Sequence, residues 1–348
     1  MTTLTWDSGS AYDFFISLFV LHYADEFGLR PSWTAGVRQR LSAGHREFLL
    51  HLFSFAGVPL DWVLALPAPK DAATALQAIA DLSPADRLTA LTLPSEVPPE
   101  VRQALNDIAR RAAWSEAEFE FLRLHYRRRG ASLSSAALTY LLRTWAEAEK
   151  SGATLLAALQ EYQQVFFAEE EARLQTPLAA ALERGRALAA RLSLEALVEE
   201  LSRGIHLADL ETLEELVLAP SYWASPRVFL NRPRPGKLLL IYGARPEFES
   251  VAPGAEAPDS LVLALKALAD PTRLRILRHL AGGPLPPAEL ARRLRLRPPT
   301  VVHHLRLLRL AGLVHVIINE QDEKRYATRQ ESLKGIYAAL EDFLRRLE

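Results

Sequence analysis

LRLRPPTVVHHLRLLRLAGL, residues 294–313, has the apolar rhythm of a helix, yet two prolines stand at its entrance and two histidines follow them. Val301, Leu305 and Leu308 fall at i, i+4 and i+7, which is one face of a helix, and Gly312 stops it. Prolines are sterically acceptable in a first helical turn, where the missing N–H would have had no partner. Three readings of the stretch stand open: a surface that reads DNA, a metal site, or plain core.

Its neighbours narrow the choice of fold. Upstream, in LVLALKALADPTRLRILRHLAGG, Asp270 can cap a helix whose first residue is Pro271. Leu274, Leu277 and the His279-Leu280 pair give that helix an inward face ending at Gly282-Gly283. PPAELARRLRL follows as a short helix with Leu290, Ala291 and Leu294 inward. Downstream, LVHVIINEQDEKRYAT reads as a strand, a polar tip and a second strand. The last helix, Glu331 to Leu347, carries Leu333, Ile336, Tyr337, Leu340, Phe343 and Leu344 on one side. Helix, short helix, turn, helix, hairpin, helix is the order of a winged helix-turn-helix.

Further upstream the text changes. From Ala11 to about Leu218 it is nearly continuous helical pattern, clearest over Ser132 to Lys150 and Gly152 to Arg173. SPRVFLNRPRPGKLLLIYG, 225–243, has two strand-like runs around a Pro and Gly turn and predicts a β-hairpin over about 226–243. ESVAPGAEAPDS, 249–260, has no periodicity and reads as a linker. The expected organisation is a helical N-terminal domain over 1–248, that linker, and a winged helix over 261–348. The fold class is mainly α, with the hairpin and the wing as its β elements.

The bulk numbers suit this. The chain has 348 residues, 49% hydrophobic and 24% charged, the balance of a globular protein of two or three domains. Cysteine is absent, which excludes disulfides, thiolate ligands and cysteine nucleophiles. FFISLFVL, Phe14 to Leu21, follows Asp13 and has no Lys or Arg before Arg30. It does not resemble a signal peptide, nor is any stretch apolar for the roughly 18 residues that a membrane span needs, so a cytoplasmic location is expected. The net charge of −1 is unevenly placed: residues 259–348 sum to +6 and the remainder to −7. Clustered cations on one module point toward phosphates, though ordinary scatter of surface charge is an equal reading.

ALADPTRLRILRHL, AELARRL, TVVHHLRLLRLAGLV and the hairpin after them together resemble the ArsR/SmtB family of dimeric transcriptional regulators, over residues 261 to about 330. The resemblance implies a symmetric homodimer on double-stranded DNA, a repressor at a palindromic operator, with the second helix of each helix-turn-helix in a major groove. It places Thr300, His303 and Arg306 on the exposed face of that helix, Arg297 at its start, and Lys324 and Arg325 on the wing. The chemistry agrees: arginine pairs bidentately with guanine, threonine and histidine bond base edges or phosphates, and cations on a hairpin reach backbone. Pro298, Pro299 and Val302 depart from the family's usual small polar residues and leave fewer polar readers. They also motivate the alternative of a winged helix used for protein contacts or for weakly specific, architectural DNA binding. The metal sensors of that family use cysteines before the turn or a His and Asp set on the last helix; here PLPPAEL and ESLKGIYAALEDFLRRL stand at those places, so no metal is expected. Adjacent histidines such as His303 and His304 diverge by about 100° on a helix, and His304 is expected to pack within its own domain.

The N-terminal region offers no phosphate-binding glycine loop, nucleophile elbow or zinc-helix motif, so neither catalysis nor a cofactor is expected. His22 with Glu26, and His45 with His51, could ligate a metal only if their helices converge, and scattered histidines are usually structural. Tyr12, Phe14, Phe15, Phe19, Trp33, Phe48, Phe53, Phe55 and Trp62 predict an aromatic core or dimer surface sooner than a ligand pocket. Tyr222 and Trp223 precede the hairpin and are expected to anchor it. This region would supply dimer contacts or bind an unknown effector outside the family's classical ones.

Overall fold

In the computed structural model, residues 2–345 are described, apart from 25–26, 28, 30, 96, 129–132, 208, 226, 246–258 and 319–323. The body opens with strand β1 (Thr3–Trp6) and helices α1 (Ser10–His22), α2 (Pro31–Gln39), α3 (Ala43–Leu52) and α4 (Leu60–Leu64). Helices α5 (Ala72–Asp81), α6 (Pro84–Thr92), α7 (Pro99–Arg111), α8 (Glu116–Arg128) and α9 (Ser135–Ala146) follow. Helices α10 (Ala148–Tyr162) and α11 (Ala168–Ala189) are joined by a π turn over 163–167, and α12 (Leu194–Ser202) completes the helical part. The local signals are ordinary: Asp71, Ser134 and Ser193 each cap a helix by accepting a backbone N–H bond from three residues on.

Two sequence expectations fail here. The helical pattern does not run to Leu218: strands β2 (Ile205–Leu207) and β3 (Glu215–Ser221) lie inside it. A short apolar run such as LVLA fits a buried strand as well as a helix, so periodicity cannot separate them. Nor does a helix begin at Gly152. Gly152 lies within α10, where a Cβ would sit 1.7 Å from the Pro84 carbonyl oxygen, so the glycine lets α10 cross α6 closely.

The expected hairpin forms as β4 (Phe229–Arg234) and β5 (Lys237–Gly243), turning at Gly236 with φ of +74°. It is part of a larger sheet of order β1-β3-β5-β4, in which β1, β3 and β5 run parallel and β4 antiparallel. Leu238 to Tyr242 are all buried, the unbroken apolar run of a strand covered on both faces. Each such side chain contributes about 1.5–3 kcal/mol by leaving water. The early aromatics join this core: Tyr12, Phe14, Phe15, Phe48 and Phe53 are buried, and Phe19, Trp33, Phe55 and Trp62 pack against it. Tyr222 and Trp223 are buried as well, with Trp223 stacked 5.9 Å from Trp33 on α2, so they tie the strand end to the helices.

The linker expected over 249–260 lies, up to residue 258, outside the described residues. After it come α13 (Asp259–Leu268), α14 (Pro271–Leu280), α15 (Pro287–Leu294), α16 (Pro298–Leu310), β6 (Val314–Ile318), β7 (Lys324–Thr328) and α17 (Gln330–Arg345). These elements have a hydrophobic cluster of their own, built on Ile276, Leu290, Leu294, Val301, Leu305 and Leu308. Leu274, expected on the inward face of α14, is instead 49% exposed, and Ile276 takes the buried place. No helix among the described residues is long and apolar enough to cross a membrane.

The two parts meet through backbone. Strand β2 of the body pairs in parallel with β6, so the wing hairpin is the outer part of a three-stranded sheet β2-β6-β7. Ile205 aligns with Val316, both buried, and the remaining pairs are His206 with Ile317 and Leu207 with Ile318.

Candidate nucleic-acid interface

Helix α14 starts as its sequence dictates: Asp270 Oδ1 accepts the Arg273 N–H at 2.9 Å, with Pro271 in the first turn. That bond holds the Asp270 carboxyl below the usual range. Helix α15 ends at Arg295, whose φ of +56° makes the tight turn into α16, and the Leu296 N–H closes on the Ala291 carbonyl at 3.0 Å. Pro298 and Pro299 then occupy the first turn of α16.

Val301, Leu305 and Leu308 are buried, which fixes the rotation of α16. Arg297, Thr300 and His303 are exposed on its outer side, together with Pro298, Pro299 and Val302, while Arg306 is half-buried one turn on. His304 turns inward: it is half-buried near Asp270, and burial lowers its pKa. The two histidine rings lie 5.9 Å apart at 66°, and no group of three or more metal-ligating side chains occurs among the described residues. In the body, His22 hydrogen-bonds the Leu18 carbonyl, His45 bonds Glu161 and His51 stacks on Tyr140. Glu26, the suggested partner of His22, lies outside the described residues.

The wing tip, 319–323, also lies outside them, but Lys324 and Arg325 are exposed where β7 begins, next to that tip. Midway along β7, Leu285 and Tyr326 exchange backbone hydrogen bonds of 2.9 Å, anchoring β7 to the segment before α15. Glu289 pairs with both Arg292 and Arg293 and offsets one of their two charges on the outer side of α15. No described carboxylate forms an ion pair with Arg297, Lys324 or Arg325. Exposed cations therefore stand at the start of α16, with Arg297, and at the start of β7, with Lys324 and Arg325.

Sequence reasoning missed how α16 meets the body. Arg309 is half-buried, and burial followed by the Arg227 charge lowers its pKa. Tyr326 of the wing feels both guanidinium groups, and Arg227 in turn lies over the Phe27 ring at 5.2 Å. Nothing in the spacing of Arg227 and Arg309 signals this, since they are far apart in the chain.

A family model described as a helix-turn-helix domain matches residues 268–317, from the end of α13 through β6. Residues 268–317 are a helix-turn-helix domain. With the β6–β7 hairpin behind its second helix, this domain is winged. It is similar to the HTH-type transcriptional regulator NmtR of Mycobacterium tuberculosis, 43% identical over 60 residues, which are 17% of this chain and 50% of that protein. It is also similar to the HTH-type transcriptional regulator Rv2034 of the same organism, 51% identical over 51 residues, 15% of this chain and 48% of that protein. The chain spans about half the length of the curated relatives it matches. No solved structure matches it with significance.

Proposed function

We propose that the protein is a DNA-binding transcriptional regulator of the ArsR type, a homodimer that places α16 of each subunit in the major groove and represses at a palindromic operator. The observation behind this reading is the outer side of α16, where Arg297, Thr300 and His303 are exposed beside Arg306 on a helix held by its buried face. Arg306 and His303 read base edges, Thr300 and Arg297 hold phosphate, and Lys324 and Arg325 grip backbone beside the wing.

Dimerisation is supported by exposed apolar side chains on three helices of this unit. Leu265 of α13, Leu274 of α14, and Tyr337 and Leu344 of α17 are exposed, the last two by 68% and 59%. The body supplies further dimer contacts or an effector site, without catalysis of its own, and the protein acts in the cytoplasm.

A second reading has one observation in its favour: Val302, 47% exposed, and Pro298 and Pro299 form an apolar stripe amid the polar readers. On that reading the wing unit docks a protein, or holds DNA with weak sequence preference. Selection of the full-length protein from a randomised duplex library at two salt concentrations decides. An enriched palindrome with half-sites about one helical turn apart is expected. Retention without enrichment supports the architectural reading, and no retention at low salt supports protein contacts.

A further inference from the structure

Two histidines meet where the strand of the body joins the wing. The parallel register sets Ile205 of β2 against Val316 of β6, and His206 against Ile317. Successive side chains alternate across a sheet, so Ile205 and Val316 take the buried face while His206, His315 and Ile317 share the other. The His206 and His315 rings lie 5.6 Å apart at 67°. A Cβ on Gly204 would overlap that of His315, so the backbone entering β2 seats directly against this histidine.

Charges of both signs surround the pair. Glu199 of α12 places Oε1 3.2 Å from His206 Nε2 and attracts a charge on His315 as well. Arg325 of β7 stands opposite Ile317 on the same face, and Arg329, just after β7, acts on His315 electrostatically. The cross-strand partner of His315 on β7 is Ala327, which carries no charge. Glu200 of α12 and Arg203 line a cleft with Arg329. His315 is half-buried, and burial, followed by the charge of His206, holds its pKa below the ordinary histidine value; Glu199 pulls the other way and Arg329 adds to the lowering. The closed junction therefore takes a proton on His315 less readily than separated strands, in which the ring meets water and leaves His206 behind. The attachment is also short: β2 pairs with β6 over three residues, whereas β3 pairs with β5 over seven.

We propose that the β2–β6 junction is an acid-released clasp, in which proton uptake by His315 beside His206 separates the strand of the body from the wing. Imidazoles are the side chains that ordinarily change charge between about pH 5 and 8. The sign follows from the direction of the shift. Stability of the closed junction is fully present above the ordinary histidine value of 6.5 and is lost as pH falls through the lowered value of His315. The helix-turn-helix keeps its own hydrophobic cluster, which has no member in β2, so release frees the wing and α16 from the body without unfolding them. A change of duplex affinity with pH would rest on the DNA-binding reading above; the clasp does not.

Hydrogen exchange of the full-length chain at pH 7.5 and 5.5, without DNA and corrected for intrinsic exchange rates, tests the clasp in the parent, His315→Gln and His206→Gln. Glutamine keeps a polar side chain that does not titrate, and a circular-dichroism melt reports whether each variant folds. In the parent, amides of 205–207 and 314–318 are expected to open about three- to tenfold more at pH 5.5, up to what one proton supplies over that range. This increase should exceed any change in β3 and β5, shrink in His206→Gln and vanish in His315→Gln. No increase in the parent, an increase that β3 and β5 share in full, or an equal increase in His315→Gln overturns the proposal. An NMR titration of the His315 ring in the parent needs no variant: a midpoint at or above 6.5 overturns it too. Duplex affinity is measured separately, and a parent that opens with acid but binds no duplex keeps the clasp and loses the DNA-binding reading.

Discussion

Gly204 of the body lies so close to His315 of the wing that a Cβ on the glycine would sit 2.2 Å from the histidine Cβ. With φ of +98°, Gly204 also adopts a backbone that other residues rarely take. Gly204→Ala is therefore expected to separate β2 from β6 at a cost of about 1–3 kcal/mol. Hydrogen exchange checks it: amides of 205–207 and 314–318 lose protection while those of β3 and β5 keep theirs.

The recognition surface divides into two kinds of contact. His303→Ala and Arg306→Ala are expected to relax sequence preference, at about 1–3 kcal/mol for the arginine. Lys324→Ala and Arg325→Ala are expected to weaken all duplexes alike and to reduce the salt slope by about 1 each. Affinity for a selected site and a scrambled one, measured across salt, separates the two. Equal losses on both duplexes for Arg306→Ala would remove it from base readout.

Within the helices, glycine has opposite meanings at two places. Gly152→Ala forces α10 off α6, because its Cβ would meet the Pro84 carbonyl, and should cost several kcal/mol. Gly36, inside α2, has nothing within 4 Å of the same position, so Gly36→Ala should stabilise by about 0.5–1 kcal/mol. Thermal melts of the two variants should shift in opposite directions.

Asp13 is fully buried on α1, where one carboxylate oxygen accepts from Ser221 Oγ at 2.7 Å and the Trp223 N–H at 2.8 Å. Burial raises its pKa to about 7, so the folded state binds a proton that the unfolded chain has released. The associated stability is fully present below about 4 and is lost as pH rises through 7. His22 has the opposite sign: burial lowers its pKa to about 4, and stability present above about 6.5 is lost as pH falls through 4. Asp13→Asn keeps the acceptor and removes the buried charge. It is expected to be more stable than the parent at pH 8, by up to about 4 kcal/mol at 1.4 kcal/mol per pH unit, and to lose stability more steeply between pH 6 and 4. Denaturant titrations at pH 8, 6 and 4 measure both; a variant no more stable at pH 8 contradicts the buried-charge account.

Tyr337→Glu together with Leu344→Glu charges the exposed face of α17. Sedimentation is expected to show the parent as a dimer and the variant as a monomer with an unchanged melt of the body. A monomeric parent would sink the proposed dimer.

The sequence by itself determined the helix-turn-helix: Asp270 before Pro271, the Val301, Leu305 and Leu308 period, Gly312 as a stop and the strand pair after it are local signals, set by capping, periodicity and turn chemistry. It also determined the β4–β5 hairpin and the aromatic composition of the first core. Tertiary structure alone decided that Leu274 faces outward, because Leu265 to Leu280 offers more apolar residues than one face can bury and contact chooses among them. It decided that ELVLAPS is a strand, since a run covered on both faces has no period to read. Above all, it decided the junction: His206 opposite Ile317, Arg309 near Arg227, and Arg329 beside Arg184 join residues far apart in the chain. Pairing of that kind is fixed by backbone hydrogen bonds and burial between distant segments, which leave no spacing in the sequence to be read.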